Sequence, residues 1–452
     1  MEKNNIRPLF HINAGSGWIN DPNGLIKFKD EYHAFFQYYP HDVNWGPMHW
    51  GHRVSKDLIH WTELPPALFP KTYSNEDGCF SGTSIIHNDV LYLFYTGFYE
   101  NSGGENIRQV QCLASSEDGI NFTKHGIIID ETKLPSNINP CDFRDPKVWM
   151  ENDIFYMIVA AREKEGKGHI LLFKSPDLFN WEYVSDFLGR ESKGMMIECP
   201  DYVKNLNLLL YSEQFQPNEG KKHLNIHSNR YAIGTLDLNE NRFNETYTDI
   251  VDYGFDFYAP QVFANENILV GWLNMWDRNI PSSEYGFAGQ LTVPRKITVK
   301  DGKLLQTPVW DYSNQTESYV DRSLSDNIKH GAVKFVIDNL NSFELKLRHK
   351  DDQYFKVSLI NNEFIFDRSK MKNQVYGVEK DEDSLNFIRR MPVDNLEHIT
   401  IEVIMDEFSL EFFINGLSAS FQVFNDIDAD ELNLEVTASN CTYIKSLFQQ
   451  QY

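Results

Sequence analysis

The 452 residues are enough for two or three domains, each with room for a core. Lys and Arg number 42 against 65 Asp and Glu, and the resulting net charge of −23 sets the chain against nucleic acid and anionic membranes. An aromatic content of 14% excludes an acidic disordered chain, and no apolar run reaches the ~18 residues of a membrane span.

The opening MEKNNIRPLF lacks the apolar stretch of a secretory signal. The five cysteines, Cys79, Cys112, Cys141, Cys199 and Cys441, are odd in number and show neither CxxC nor zinc spacing. Together these features predict a reduced, cytoplasmic protein; no metal and no cofactor are expected, and a monomer or homodimer is assumed.

Short apolar, aromatic stretches punctuate the first 275 residues: YHAFFQ from Tyr32, YLFYTG from Tyr92, YMIVAA from Tyr156, LLLYSE from Leu208 and ILVGWL from Ile268. They start 60, 64, 52 and 60 residues apart, and each reads as a buried strand between turn signals. A second series keeps the same phase. VSKDLIHW, SSEDGINF and KSPDLFNW each carry a Ser-x-Asp turn ahead of an aromatic residue, with Asp57, Asp118 and Asp177 at 61- and 59-residue intervals. Turn dipeptides recur by chance in β-proteins, but two series in one phase do not. Five β-units with almost no helical periodicity predict a five-bladed β-propeller over residues 1–308.

The polar stretch from Asp311 to Asn327 predicts a linker, placed at 309–329. Alternating strands follow in FELKLRH, YFKVSLI, EFIFDRS, ITIEVIM and LEFFING, with a hairpin signal at Asn415-Gly416. Residues 330–452 are therefore predicted to form a β-sandwich, making the whole chain all-β.

Counting back 10 or 11 residues from each repeated strand reaches an unusual polar motif: Asp21 in WINDPNG, Ser81 in FSGT, Asp145 in FRDPK, Glu198 in ECPD and Tyr258 in FYAPQ. Equivalent positions of five blades surround one axis, so residues nearly 250 apart converge and bring three carboxylic acids together. Each acid alone reads as a turn former or a solvated charge. Convergent carboxylates serve either metal binding or glycoside chemistry. Hard-cation sites gather their ligands in one loop, whereas these acids come from separate blades. An apolar surround of Met195, Met196, Ile197, Cys199 and Pro200 is expected to favour a protonated Glu198, and a meeting of Arg144 with Asp145 would keep the latter ionised.

His49-x-x-His52 has no third ligand at sensible spacing, so His41, His49, His52 and His60 are read as structural. Cys199 has no histidine partner in sequence, which makes it a neighbour that tunes polarity rather than a nucleophile.

WINDPNG, the FFQ strand, NWGPMHWGH, FSGT, FRDPK, ECPD and DFYAPQ appear in the order seen in glycoside hydrolase family 32, the invertase, sucrose-6-phosphate hydrolase and fructanase group, which the chain resembles from Trp18 to Gln261. Ile19 and Thr83 stand where the family usually has Met and often Ser, and neither change removes a catalytic group. The resemblance implies a propeller with a β-sandwich and a retaining β-fructofuranosidase that forms a covalent fructosyl-enzyme. It implies Asp21 as nucleophile, Glu198 as acid and base, and Asp145 as transition-state stabiliser. Trp18, Ile19, Asn20, Gln37, Trp45, Phe80, Ser81, Arg144, Tyr258 and Trp272 are implied to surround the fructose.

The implied substrates are sucrose, sucrose 6-phosphate or short fructooligosaccharides, with local sequence most similar to the cytosolic sucrose-6-phosphate hydrolases. Arg278, Lys221, Lys222 and His223 are candidates to hold a phosphate. The alternatives are a fructosyltransferase, which shares the first half-reaction, and a non-catalytic sugar-binding propeller, for which Glu198 would be superfluous.

Overall fold

The structure, a computed structural model, describes residues 6–73, 75–348, 353–371, 375, 387–423, 432–438 and 440–450. The five repeats are five antiparallel sheets. Blade 1 comprises Gly17–Phe28, Glu31–Tyr39, His49–Ser55 and Thr62–Leu68; blade 2 comprises Gly78–His87, Val90–Glu100, Asn106–Ser116 and Thr123–Ile129. Blade 3 contains Ile138–Glu151, Ile154–Glu163, Gly168–Ser175 and Glu182–Asp186, and blade 4 Met196–Val203, Leu208–Gln214, His227–Asp237 and Arg242–Asp249. Blade 5 contains Tyr258–Val262, Ile268–Trp272, Arg295–Lys300 and Lys303–Pro308.

The first strand of each blade lies innermost, and these strands touch in ring order, with blade 5 returning to blade 1. Phe287–Ala288 seals the ring by pairing in parallel with Gly17 and Trp18. Each repeated aromatic stretch is the second strand of its blade, buried between the inner strand and the third, which explains its continuous apolar character.

The Ser-x-Asp turns connect the third and fourth strands of blades 1, 2 and 3 with the same hydrogen bonds. Asp57 Oδ1 accepts from the amides of Ile59 and His60, Asp118 Oδ1 from those of Ile120 and Asn121, and Asp177 Oδ1 from those of Phe179 and Asn180. The histidines also serve structure: His60 Nδ1 lies 2.7 Å from Asp57, and His52 stacks on His33 and Phe35.

Two six-stranded sheets face each other beyond the propeller over an aromatic core that includes Phe335, Phe355, Phe366, Phe412 and Phe421. Asn415 and Gly416 have φ of 47° and 87°, the left-handed pair that a tight hairpin turn requires. The linker expected over 309–329 is largely strand. Thr316–Val320 and Ser323–Ile328 are edge strands of the two sandwich sheets, and their polar sequence reflects a mostly solvated edge.

Ile250, Tyr253 and Phe255 of the propeller enter the sandwich core. The amides of Tyr253 and Asp256 bond to the carbonyls of Ser418 and Ser420 at 2.9 and 3.1 Å. A side chain at Gly254 would meet the Ser420 oxygen at 2.0 Å, so only glycine permits this approach. Beside it, fully buried Arg295 reaches Asp252, Glu411, Ser418 and Ser420. His11 lies between Asp406 and Glu411, 2.8 Å from each.

Burial pulls the His11 imidazole down, but the hydrogen bonds and charges of Asp406 and Glu411 outweigh it and carry it up to about 9. A raised value in the folded state means stability that is complete below the usual histidine value of 6.5 and lost as pH climbs to about 9. We expect the unfolding free energy to fall by roughly 3 kcal/mol across that window in denaturant titrations, and the slope to flatten in His11→Gln. A slope unchanged by His11→Gln would refute this assignment.

Candidate active site

The inner strands carry the site, and each breaks its ladder there. Register shifts fall between Ile19 and Pro22, Phe80 and Gly82, Arg144 and Lys147, Glu198 and Asp201, and Tyr258 and Gln261. Such bulges re-aim side chains that a regular strand would turn into its neighbours. In blades 3, 4 and 5 the residue before the proline adopts positive φ: 65° at Asp145, 49° at Cys199 and 49° at Ala259.

This register corrects the equivalence inferred by counting residues. The counterparts of Glu198 are Arg144 and Tyr258, the last paired residues before the bulge, while the counterpart of Asp145 is Cys199. The contacts follow the two sets. Arg144 donates from Nε and Nη2 to Glu198 Oε1 at 3.2 and 2.9 Å, and the Tyr258 hydroxyl donates to Glu198 Oε2 at 2.7 Å. The Cys199 amide donates to Asp145 Oδ2 at 2.9 Å, and the Cys199 thiol lies 3.3 Å from Asp21 Oδ2 and 3.6 Å from Asp145 Oδ2. Ser81 donates to Asp21 Oδ2 at 2.6 Å. Asp21 Oδ1 is buried and has no hydrogen-bond partner.

Asp21, Ser81, Arg144, Asp145 and Glu198 line a cleft of about 350 Å³. Of the sequence-predicted residues, Asn20, Asp21, Gln37, Trp45, Phe80, Ser81, Arg144, Asp145 and Glu198 line it. Trp45 stands half exposed at the rim, edge-on to Phe80, which stacks on Phe98 at 4.5 Å. Four predicted residues are not in the lining. Ile19 is fully buried in an apolar cluster, and Tyr258 is buried and reaches the cleft only through Glu198. Trp18 and Trp272 pack behind Trp276, which itself lines the cleft.

The sequence reading missed Trp276, Phe98, Asn106, Gln109, Asp142 and Gln214. Asp142 was within reach of it, since residues two apart on a strand share a face and Arg144 was already singled out. The proposed phosphate ligands lie elsewhere. Lys221 pairs with Glu363, Lys222 with Asp249 and Arg278 with Asp256, His223 bonds to Ser228, and none of the four lines the cleft.

The electrostatics also differ from expectation. Arg144 binds Glu198 rather than Asp145. Burial raises the Asp145 carboxyl to about 7; the charge of Arg144 opposes this, and those of Asp21 and Glu198 add to it. Burial likewise raises Asp21, with the Ser81 hydrogen bond opposing and the Glu198 charge adding. Burial and the surrounding carboxylates hold the Cys199 thiol far above its usual range, so it serves as a donor and not a nucleophile.

Residues 11–308 match the family described as glycosyl hydrolases family 32, N-terminal domain. The chain is 36% identical to a sucrose-6-phosphate hydrolase of Zymomonas mobilis, over 93% of this chain and 88% of that protein. Among solved structures, a variant of a Bombyx mori family 32 β-fructofuranosidase in complex with sucrose superposes with a TM-score of 0.83 at 30% identity, covering 98% of this chain and 93% of that one. A sucrose-6-phosphate hydrolase from Lactobacillus gasseri superposes with a TM-score of 0.87 at 26% identity, covering 99% and 94%.

The geometry predicts an unusual aspartate titration. In protein with carbon-13-labelled aspartate carboxyls, one signal should titrate near pH 7, vanish in Asp145→Asn and move to higher pH in Arg144→Gln, where the opposing cation is gone. Carboxyls that all titrate below pH 5 would contradict the burial assigned to Asp145.

Proposed function

The chain belongs to glycosyl hydrolase family 32, and from that premise we propose that Asp21 is the nucleophile, Glu198 the acid and base, and Asp145 the stabiliser of the transition state. The enzyme is a glycoside hydrolase of the β-fructofuranosidase type, acting on sucrose-type substrates.

One observation carries the division of roles. Ser81 and Cys199 fix Asp21 Oδ2, while buried Oδ1 accepts no hydrogen bond. A buried carboxylate oxygen without a partner costs free energy, and such costs persist where a group must react. Glu198 has both oxygens engaged, by Arg144 and by Tyr258, which orients it for proton transfer.

In the first step Asp21 Oδ1 attacks the anomeric carbon of the fructosyl unit. The bond to the leaving oxygen breaks, and that oxygen takes the proton of Glu198. In the second step Glu198 removes a proton from water, the water oxygen attacks the same carbon, and the Asp21 carboxylate departs. Two displacements on one carbon restore its configuration. In its ionised form Asp145 faces the sugar hydroxyls and stabilises the oxocarbenium character that develops in the transition state of each step. The Trp45, Phe80 and Phe98 wall offers apolar faces to the sugar and excludes water from one side of the cleft.

Fructose release from sucrose, sucrose 6-phosphate and kestose tests this reading. Wild type is expected to cleave at least one, and the kcat/KM ranking identifies the preferred leaving group. Glu198→Gln and Asp21→Asn should each lose about 100- to 10,000-fold or more on that substrate. Absence of fructose release by wild type from all three would overturn the hydrolase reading for these sugars.

A further inference from the structure

Arg144 does not end its contacts at Glu198. Its Nη1 donates to Asp142 Oδ1 and to Gln109 Oε1, both at 3.3 Å. Asp142 Oδ2 in turn accepts from Arg162 Nε and Nη2 at 3.0 and 2.5 Å, and from Asn139 at 2.8 Å. Side-chain exposure falls from 26% at Arg162 to 18% at Asp142, 11% at Arg144 and 10% at Glu198. An alternating cation–anion chain therefore runs from the outer edge of the cleft to the acid. Its geometry follows from the sheet. Asp142 and Arg144 share a face of the inner strand of blade 3, and Arg162 lies on the adjacent strand two residues beyond Ala160, the partner of Arg144.

We propose that Asp142 and Arg162 form a positioning pair that sets how firmly Arg144 grips Glu198, and through it how well Glu198 delivers a proton to the leaving oxygen. The proposal rests on the assignment of Glu198 as the acid. Arg144 is shared between two carboxylates of opposite duty: Glu198, which must change partners during each turnover, and Asp142, which never does. With Arg162 neutralising its outer oxygen, Asp142 tethers the far edge of the guanidinium without drawing it away from the acid. Loss of either member loosens the hold on the far edge of Arg144, fully for Asp142, where Gln109 alone remains on Nη1, and in part for Arg162, and Glu198 loses orientation while Asp21 and Asp145 keep theirs.

The consequence is selective, because only a poor leaving group needs the proton. The test compares kcat/KM, which reports fructosylation, for sucrose and for a nitrophenyl β-fructofuranoside whose phenolate departs unassisted. Asp142→Asn should lower kcat/KM on sucrose about 10- to 100-fold, the loss expected for charged hydrogen bonds, and change the aryl substrate less than about 3-fold. Arg162→Lys, which keeps the charge but not the two-pronged contact, should show the same selectivity at smaller amplitude, and Asp142→Glu should restore part of the sucrose activity. Equal losses on both substrates, or no loss on either, would overturn the positioning role. Should Asp142→Asn fail to fold, the Arg162→Lys ratio decides alone. Failure of wild type to cleave either substrate would instead refute the hydrolase assignment itself.

Discussion

Five strands that meet at one axis cannot all keep a regular ladder, and the architecture of the site follows from that constraint. Each inner strand is covered by its own blade and by two neighbours, so its polar groups must find partners across blade boundaries. Ser81 of blade 2 bonds to Asp21 of blade 1, Cys199 of blade 4 to Asp145 of blade 3, and Tyr258 of blade 5 to Glu198 of blade 4. The bulges make these contacts possible by turning consecutive residues toward the axis. A side chain at Gly82 would lie 1.9 Å from the Phe94 carbonyl, which shows how closely the backbones approach beside Ser81.

Gathering Asp21, Asp145 and Glu198 in a buried cleft is electrostatically unfavourable: the Glu198 charge raises Asp21, and the charges of Asp21 and Glu198 raise Asp145. Arg144 is the cation at the centre of that group, and its hydrogen bonds favour Glu198 over its sequence neighbour Asp145. The protein therefore keeps one carboxyl tied to a cation, one partly free, and one held near neutrality by burial. Three acids of similar chemistry acquire three environments, the condition for distinct roles in one reaction. The propeller–sandwich junction meets a comparable problem by pairing buried charges: Arg295 with Asp252 and Glu411, and His11 with Asp406 and Glu411.

Much of this was legible in the sequence, because the repeat carries both fold and site. The apolar second strands gave the blade period, and the Ser-x-Asp turns recurred with the same hydrogen bonds. What escaped was set by tertiary register. A one-residue difference decides whether Glu198 corresponds to Asp145 or to Arg144, and counting from strand starts cannot resolve it across a bulge. Thr316–Val320 and Ser323–Ile328 were hidden because edge strands need few apolar residues. Trp272 was preferred to Trp276 because a strand residue stood in the repeat, whereas the loop residue that lines the cleft had no phase to mark it.

The central claim is that Asp21 forms a covalent fructosyl-enzyme, and the configuration of a trapped product tests it most directly. Turnover of sucrose in the presence of methanol diverts the intermediate to a methyl fructofuranoside, whose anomeric carbon is read by carbon-13 NMR before any equilibration. Two successive displacements predict the methyl β-fructofuranoside alone. The α anomer as the initial product would mean a single displacement by solvent and would contradict the role given to Asp21.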